Sequence, residues 1–240
     1  MNIVGFGDSF ISENGEYSPE YGKCYLDTVG TTLSAKSVTW AGCSGSSIWD
    51  AFFQFKNYEK LTDIDVAVFA WTDVSRLYHY RVRNLCPYGS SLRANLNGSD
   101  ADVWLATKHY YTELYAHEKT EYEAQAFFHW FDNLTLSFPK IKFIHMWGFS
   151  KNTQTAGSNW DRYAEDNVEL EYHHRFKNGV EIRPALMNFS RRDGWPSDDD
   201  LTNETRANHL TLKNHDILSS IIVNAIENYE PGKIFTEKKI

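Results

Sequence analysis

Cysteine is scarce in this chain. Its three residues, Cys24, Cys43 and Cys86, are odd in number and none stands in a Cys-x-x-Cys spacing. That argues against a disulfide framework and a thiolate zinc site, and fits reduced thiols. His-Glu-x-x-His and comparable ligand spacings are absent as well, so neither a metal nor another cofactor is expected. No apolar run approaches the length of a membrane span. Lys and Arg (24) are outnumbered by Asp and Glu (32), for a formal net charge of −8, and the basic residues do not cluster. A nucleic-acid phosphate backbone is therefore not an expected partner. The first apolar run begins at Asn2 and leaves no space for a signal peptide, so the chain is expected to start out in the cytoplasm, its final destination open. Internal repeats and low-complexity segments are missing too.

What is abundant is aromatic: 8 Trp, 14 Tyr and 15 Phe in 240 residues. Such side chains fill cores by default, and Trp and Tyr in this number also suit a surface that stacks on sugar rings. With 42% hydrophobic and 23% charged residues, the composition is that of a globular chain long enough for a sizeable core.

Buried-type strands are expected at 2–6, 37–41, 66–71 and 141–147, each a continuous apolar or β-branched run rather than an alternating one. Between them lie helical stripes. Tyr21, Tyr25, Val29 and Leu33 mark one, and Ile48, Phe52, Phe55 and Tyr58 the next. Two helices are expected at 102–117, with Trp104, Tyr111 and Leu114 on one face, and at 119–136, with Tyr122, Ala126, Trp130 and Leu134. Segments 168–176 and 179–182 are weakly strand-like, and a last helix runs from Leu210 through Ile226. Strand, helix, strand, helix, strand is the pattern of an α/β domain with a parallel sheet. The expected organisation is one domain over 1–228, a helical insertion at about 84–138 after the third strand, and a frayed tail at 229–240.

Chemistry concentrates where the strands end. The first breaks into Gly7-Asp8-Ser9, where Gly7 allows a sharp turn and Asp8 and Ser9 are capping residue types. A serine there can present its hydroxyl beside free N–H groups, the ingredients of a nucleophile with an oxyanion donor. A second break holds Gly42-Cys43-Ser44-Gly45-Ser46-Ser47, and a third Thr72-Asp73. Ligands of open parallel sheets bind beyond such strand ends, so the three loops are candidates for one site. His209 opens the final helix in Asn208-His209-Leu210-Thr211. Trp71 and Trp160 stand at expected rim positions, whereas Arg76, Arg81 and Arg83 read as a solvated face.

Gly7-Asp8-Ser9-Phe10, Ser44-Gly45-Ser46 and a late His209-Leu210-Thr211, in this order over nearly the whole chain, resemble the SGNH (GDSL-type) hydrolases. The resemblance implies a three-layer α/β/α flavodoxin-like sandwich with a mostly parallel sheet. It also implies Ser9 as nucleophile, Gly45 as oxyanion donor and His209 as general base. Two positions depart from the family pattern. Thr72 stands where an asparagine completes the oxyanion hole, and its hydroxyl offers one donor instead. Arg206 stands three residues before His209, where an aspartate is usual. The group that orients His209 is open among Glu204, Asn208, the acidic residues Asp193 and Asp198 to Asp200, and a backbone carbonyl. The expected activity is a serine esterase releasing a small acyl group, such as acetyl, from a carbohydrate or other small-molecule ester. The alternatives are a catalytically degenerate module that binds a glycan or protein, or a lipase or thioesterase for longer acyl chains.

Overall fold

The computed structural model describes residues 1–12, 24–83, 85, 100–149, 172–191 and 209–236. Six strands form one sheet: β1 (Asn2–Gly7), β2 (Ser37–Trp40), β3 (Val66–Trp71), β4 (Lys142–Trp147), β5 (Val180–Ile182) and β6 (Ile234–Phe235). Their order is β2-β1-β3-β4-β5-β6, and every neighbouring pair is parallel. Helices cover both faces, so each inner strand must be apolar on both sides. That is why β3 reads Val-Ala-Val-Phe-Ala-Trp and is buried throughout. The architecture is a three-layer α/β/α sandwich with an all-parallel sheet.

On one face pack α1 (Tyr25–Thr32), the short α5 (Leu186–Arg191) and α6 (Leu212–Glu227); on the other pack α2 (Ile48–Lys56) and α4 (His117–Thr135). Helix α3 (Ala101–His109) runs on into a wider turn, Tyr110–Leu114, closed by the Tyr115 N–H donating to the Tyr110 carbonyl. Ser47 starts α2 with a capping box in which its hydroxyl and the Asp50 carboxylate satisfy each other's backbone N–H. Thr211 caps α6.

Several expectations need correction. The stripe of α4 that meets the sheet is Ala124, Phe127, Phe128, Phe131 and Thr135, not Tyr122, Ala126, Trp130 and Leu134; Tyr122 is 73% exposed. Aromatics lie all round this helix, and the sheet takes the phenylalanines because they have no polar atom to satisfy. Since α4 forms a layer, the stretch after β3 is not wholly an insertion. Among the described residues of that stretch, α3 stands apart, on a small cluster of Val82, Leu85 and Trp104. Leu114, expected on the inner face with Trp104, is exposed. Residues 229–236 are not a frayed tail: Ile234 and Phe235 pair with β5, and the Phe143 N–H donates to the Tyr229 hydroxyl. Trp71 is not at a rim. It is fully buried on β3, its indole N–H donating to Nδ1 of His145 at 3.2 Å. Trp160, Tyr21, Cys86 and segment 168–171 lie outside the described residues. Of these described residues, no helix is long and apolar enough to cross a membrane.

Candidate functional site

The connection from β1 runs to β2 on one side and that from β3 to β4 on the other, so a crevice opens between the C-terminal ends of β1 and β3. The turn there requires glycine. Gly7 has φ 141°, and a Cβ on it would sit 2.2 Å from the Ala70 carbonyl oxygen on β3. Asp8 follows and caps the single turn Ser9–Ile11, its Oδ1 accepting from the Phe10 N–H at 3.1 Å. Ser9 is thereby held at the crest.

His209 comes to meet it from the other end of the chain. Its Nε2 stands 2.8 Å from Ser9 Oγ, and its ring lies against Phe10 with centroids 5.0 Å apart. With the imidazole proton on Nδ1, the serine hydroxyl donates to Nε2. The histidine backbone has φ 64°, a left-handed conformation uncommon for a residue with a side chain. Fixed points flank it: Leu210 is buried, Thr211 caps α6, and the Asn214 side-chain amide donates to the Phe189 carbonyl of α5. Further along α6, His215 does a different job, its Nδ1 accepting from the Tyr25 N–H at the start of α1.

Gly45 lies in a tight turn closed by the Ser46 N–H donating to the Cys43 carbonyl, and its φ of 75° is the one that glycine supplies in such turns. Its own N–H has no partner among the described residues. The Cys43 N–H donates to the Gly7 carbonyl, which ties this loop to the Ser9 turn. Thr72 is 3% exposed, and its hydroxyl is buried without a hydrogen-bond partner among the described residues. Glu204, Asn208, Asp193, Asp198 to Asp200 and Arg206 all lie outside the described residues. Among the described residues no group of three or more His, Cys, Asp or Glu is arranged to hold a metal.

Two side chains that sequence reasoning passed over join these pieces. Gln54, on α2, accepts from the Gly7 N–H with Oε1 at 2.8 Å; its Nε2 donates to the Gly7 carbonyl and to Ser46 Oγ. Arg76, read from sequence as solvated, instead reaches inward. Its Nη1 is 3.7 Å from Oδ2 of the fully buried Asp8 and donates to the Ser46 carbonyl at 3.3 Å. A carboxylate this deep needs such a partner. One guanidinium and one amide thus fix the Ser9 turn to the Gly45 loop. Neither had a spacing signal, because each works through tertiary placement alone.

No family model matches the sequence, and no curated protein does. A solved structure that is similar, a crystal structure of the acetyl xylan esterase AlAXEase, aligns at 19% identity with a TM-score of 0.30. The alignment covers 60% of this chain, which spans 57% of the length of that one.

Proposed function

We propose that the chain is a serine esterase of SGNH type acting on a small acyl group, such as acetyl, carried by a carbohydrate. The observation that carries this reading is the 2.8 Å approach of His209 Nε2 to Ser9 Oγ, two residues 200 positions apart in sequence. In the proposed reaction Ser9 Oγ attacks the ester carbonyl carbon while His209 Nε2 takes the hydroxyl proton. The oxyanion forms against the unpaired Gly45 N–H, with the Thr72 hydroxyl as second donor. A buried hydroxyl without a partner costs about 1–3 kcal/mol, so an acceptor that exists only during reaction would be selectively favoured there. Collapse breaks the bond to the alcohol, which leaves with the proton from His209. Water then attacks the acyl-Ser9 carbonyl, His209 taking and returning a proton, to release the acid and restore Ser9.

The test is labelling with a fluorophosphonate probe together with hydrolysis of p-nitrophenyl acetate. Wild type is expected to label and turn over. Ser9→Ala and His209→Ala are each expected to lose on the order of 10⁴-fold in rate or more. A wild type that neither labels nor turns over, or an equally active Ser9→Ala, overturns the reading and leaves a binding module in its place. Comparison with p-nitrophenyl octanoate separates a deacetylase from a lipase.

A further inference from the structure

A second concave surface lies beside the candidate site, on the outer edge of the sheet. It is a groove of about 740 Å³, floored by Thr39 of β2 and Ala41 just after it and walled by α2 and the loop that follows β3. That volume is in the range of ligand pockets. Phe53, Gln54, Asn57 and Tyr58 line it from the α2 side, Tyr78 and Tyr80 from the loop. The rings are held at an angle to one another rather than collapsed into a core: Tyr78 tilts against Phe53 at 5.1 Å, and Tyr80 is 76% exposed. The hydroxyls of Tyr78 and Tyr80 and the amide of Asn57 have no partners among the described residues.

The lining selects a ligand class. An acyl chain would need an unbroken apolar wall, and here rings alternate with amides and hydroxyls. Charges in the groove balance, Asp50 and Glu59 against Lys60 and Arg83, so it offers no net field to an anionic polymer. Aromatic faces interleaved with hydrogen-bonding groups fit a molecule with apolar ring faces and hydroxyl edges. The groove also connects to the chemistry. Gln54 lines it and bonds to Gly7 and Ser46, while Arg76, which grips Asp8 and Ser46, lies two residues before Tyr78 in the same loop.

We infer that this groove binds an uncharged oligosaccharide, the main chain of the substrate whose acyl group is presented to Ser9. The inference rests on the esterase reading for the acyl group, but binding in the groove is independent of turnover. The experiment therefore has two arms. In the first, unmodified xylotetraose, cellotetraose and chitotetraose are titrated against the full chain by saturation-transfer NMR. At least one is expected to bind, and Tyr80→Ala and Arg83→Ala are expected to weaken it. In the second, kcat/KM is measured on the O-acetylated form of the tetrasaccharide that binds and on p-nitrophenyl acetate. The ratio of the two is expected to fall roughly 3- to 10-fold in Tyr80→Ala, the worth of one aromatic contact. Both positions are exposed, so the variants are expected to fold. If no tetrasaccharide binds, or if both variants bind it and process its acetylated form as wild type does, the inference is overturned. Loss of all hydrolysis with tetrasaccharide binding intact overturns the esterase reading and supports the groove.

Discussion

On the face covered by α1 and α6, the strands contribute Ile3, Val66, Val68, Ala70, Ile144 and Met146. On the face covered by α2 and α4, they contribute Val4 and Ala67 and a larger set of rings, Phe6, Phe69, Trp71, Phe143, His145 and Trp147. The aliphatic side packs by filling space. The aromatic side packs by ring geometry, with edge contacts such as Phe128 on Trp147 and stacks such as His145 on Phe176. Each side hands the candidate site a different part. The aliphatic side delivers His209 at the head of α6, and the aromatic side delivers Gln54 and the Gly45 loop at the head of α2. Two histidines show what setting does to one residue type. His209 meets a hydroxyl at the crest, whereas His145 is sealed among rings and burial pushes its pKa down to about 3.

The largest break in that comparison should come from truncating the aromatic side. Phe131 is fully buried against Phe69, Trp71 and Phe55, and Phe131→Ala is expected to cost about 3–5 kcal/mol in denaturant unfolding. Acid should find the same side next. His145 binds its proton less readily folded than unfolded, so its contribution is complete above pH 6.5. That contribution is lost as pH falls toward 3, at up to about 1.4 kcal/mol per pH unit. Asp132 adds to the acid loss. Burial raises its pKa, but bonds from His174 and from the Lys177 and Asn178 N–H groups outweigh that and hold it below the ordinary value. A stability profile that is flat from pH 6.5 to 4, or one that His145→Phe leaves as steep, would break this account.

Across the seam between the sides, Arg76→Met is expected to lower kcat/KM for p-nitrophenyl acetate by 10- to 10²-fold, roughly the effect of misplacing reacting groups by an ångström. Arg76→Lys should restore part of it, and the loss should fall on kcat rather than KM. An unchanged kcat would show that the clamp has no bearing on the reaction. The smallest effect belongs to the aliphatic side. Ile144→Val should cost only about 0.5–1.5 kcal/mol, and a cost matching Phe131→Ala would erase the distinction between the faces.

The central strands β1, β3 and β4 were readable from sequence because burial on both faces makes them near-continuous apolar runs. The turn at Ser9 and the candidate His209 stood out because residue type and place in the strand or helix coincide. The face of α4 was not, since Tyr122 and Trp130 keep the same spacing as the phenylalanines and only the sheet decides between them. Strand β6 was missed because two residues carry no period, and α5 because six barely complete a stripe. Arg76 looked like any surface arginine; what draws it inward is Asp8, 68 positions earlier.

One feature of His209 reaches beyond geometry. A glycine or asparagine would hold its left-handed backbone with less strain than a histidine does. Backbone strain alone would thus favour replacing it, and if the proposed function holds, His209→Gly should relieve that strain while abolishing ester cleavage. Under the proposed function, a position where thermal selection and activity selection pull in opposite directions is one where chemistry is kept at the expense of robustness. In a library screened first for heat resistance and then for ester cleavage, position 209 should change in the first round and revert in the second.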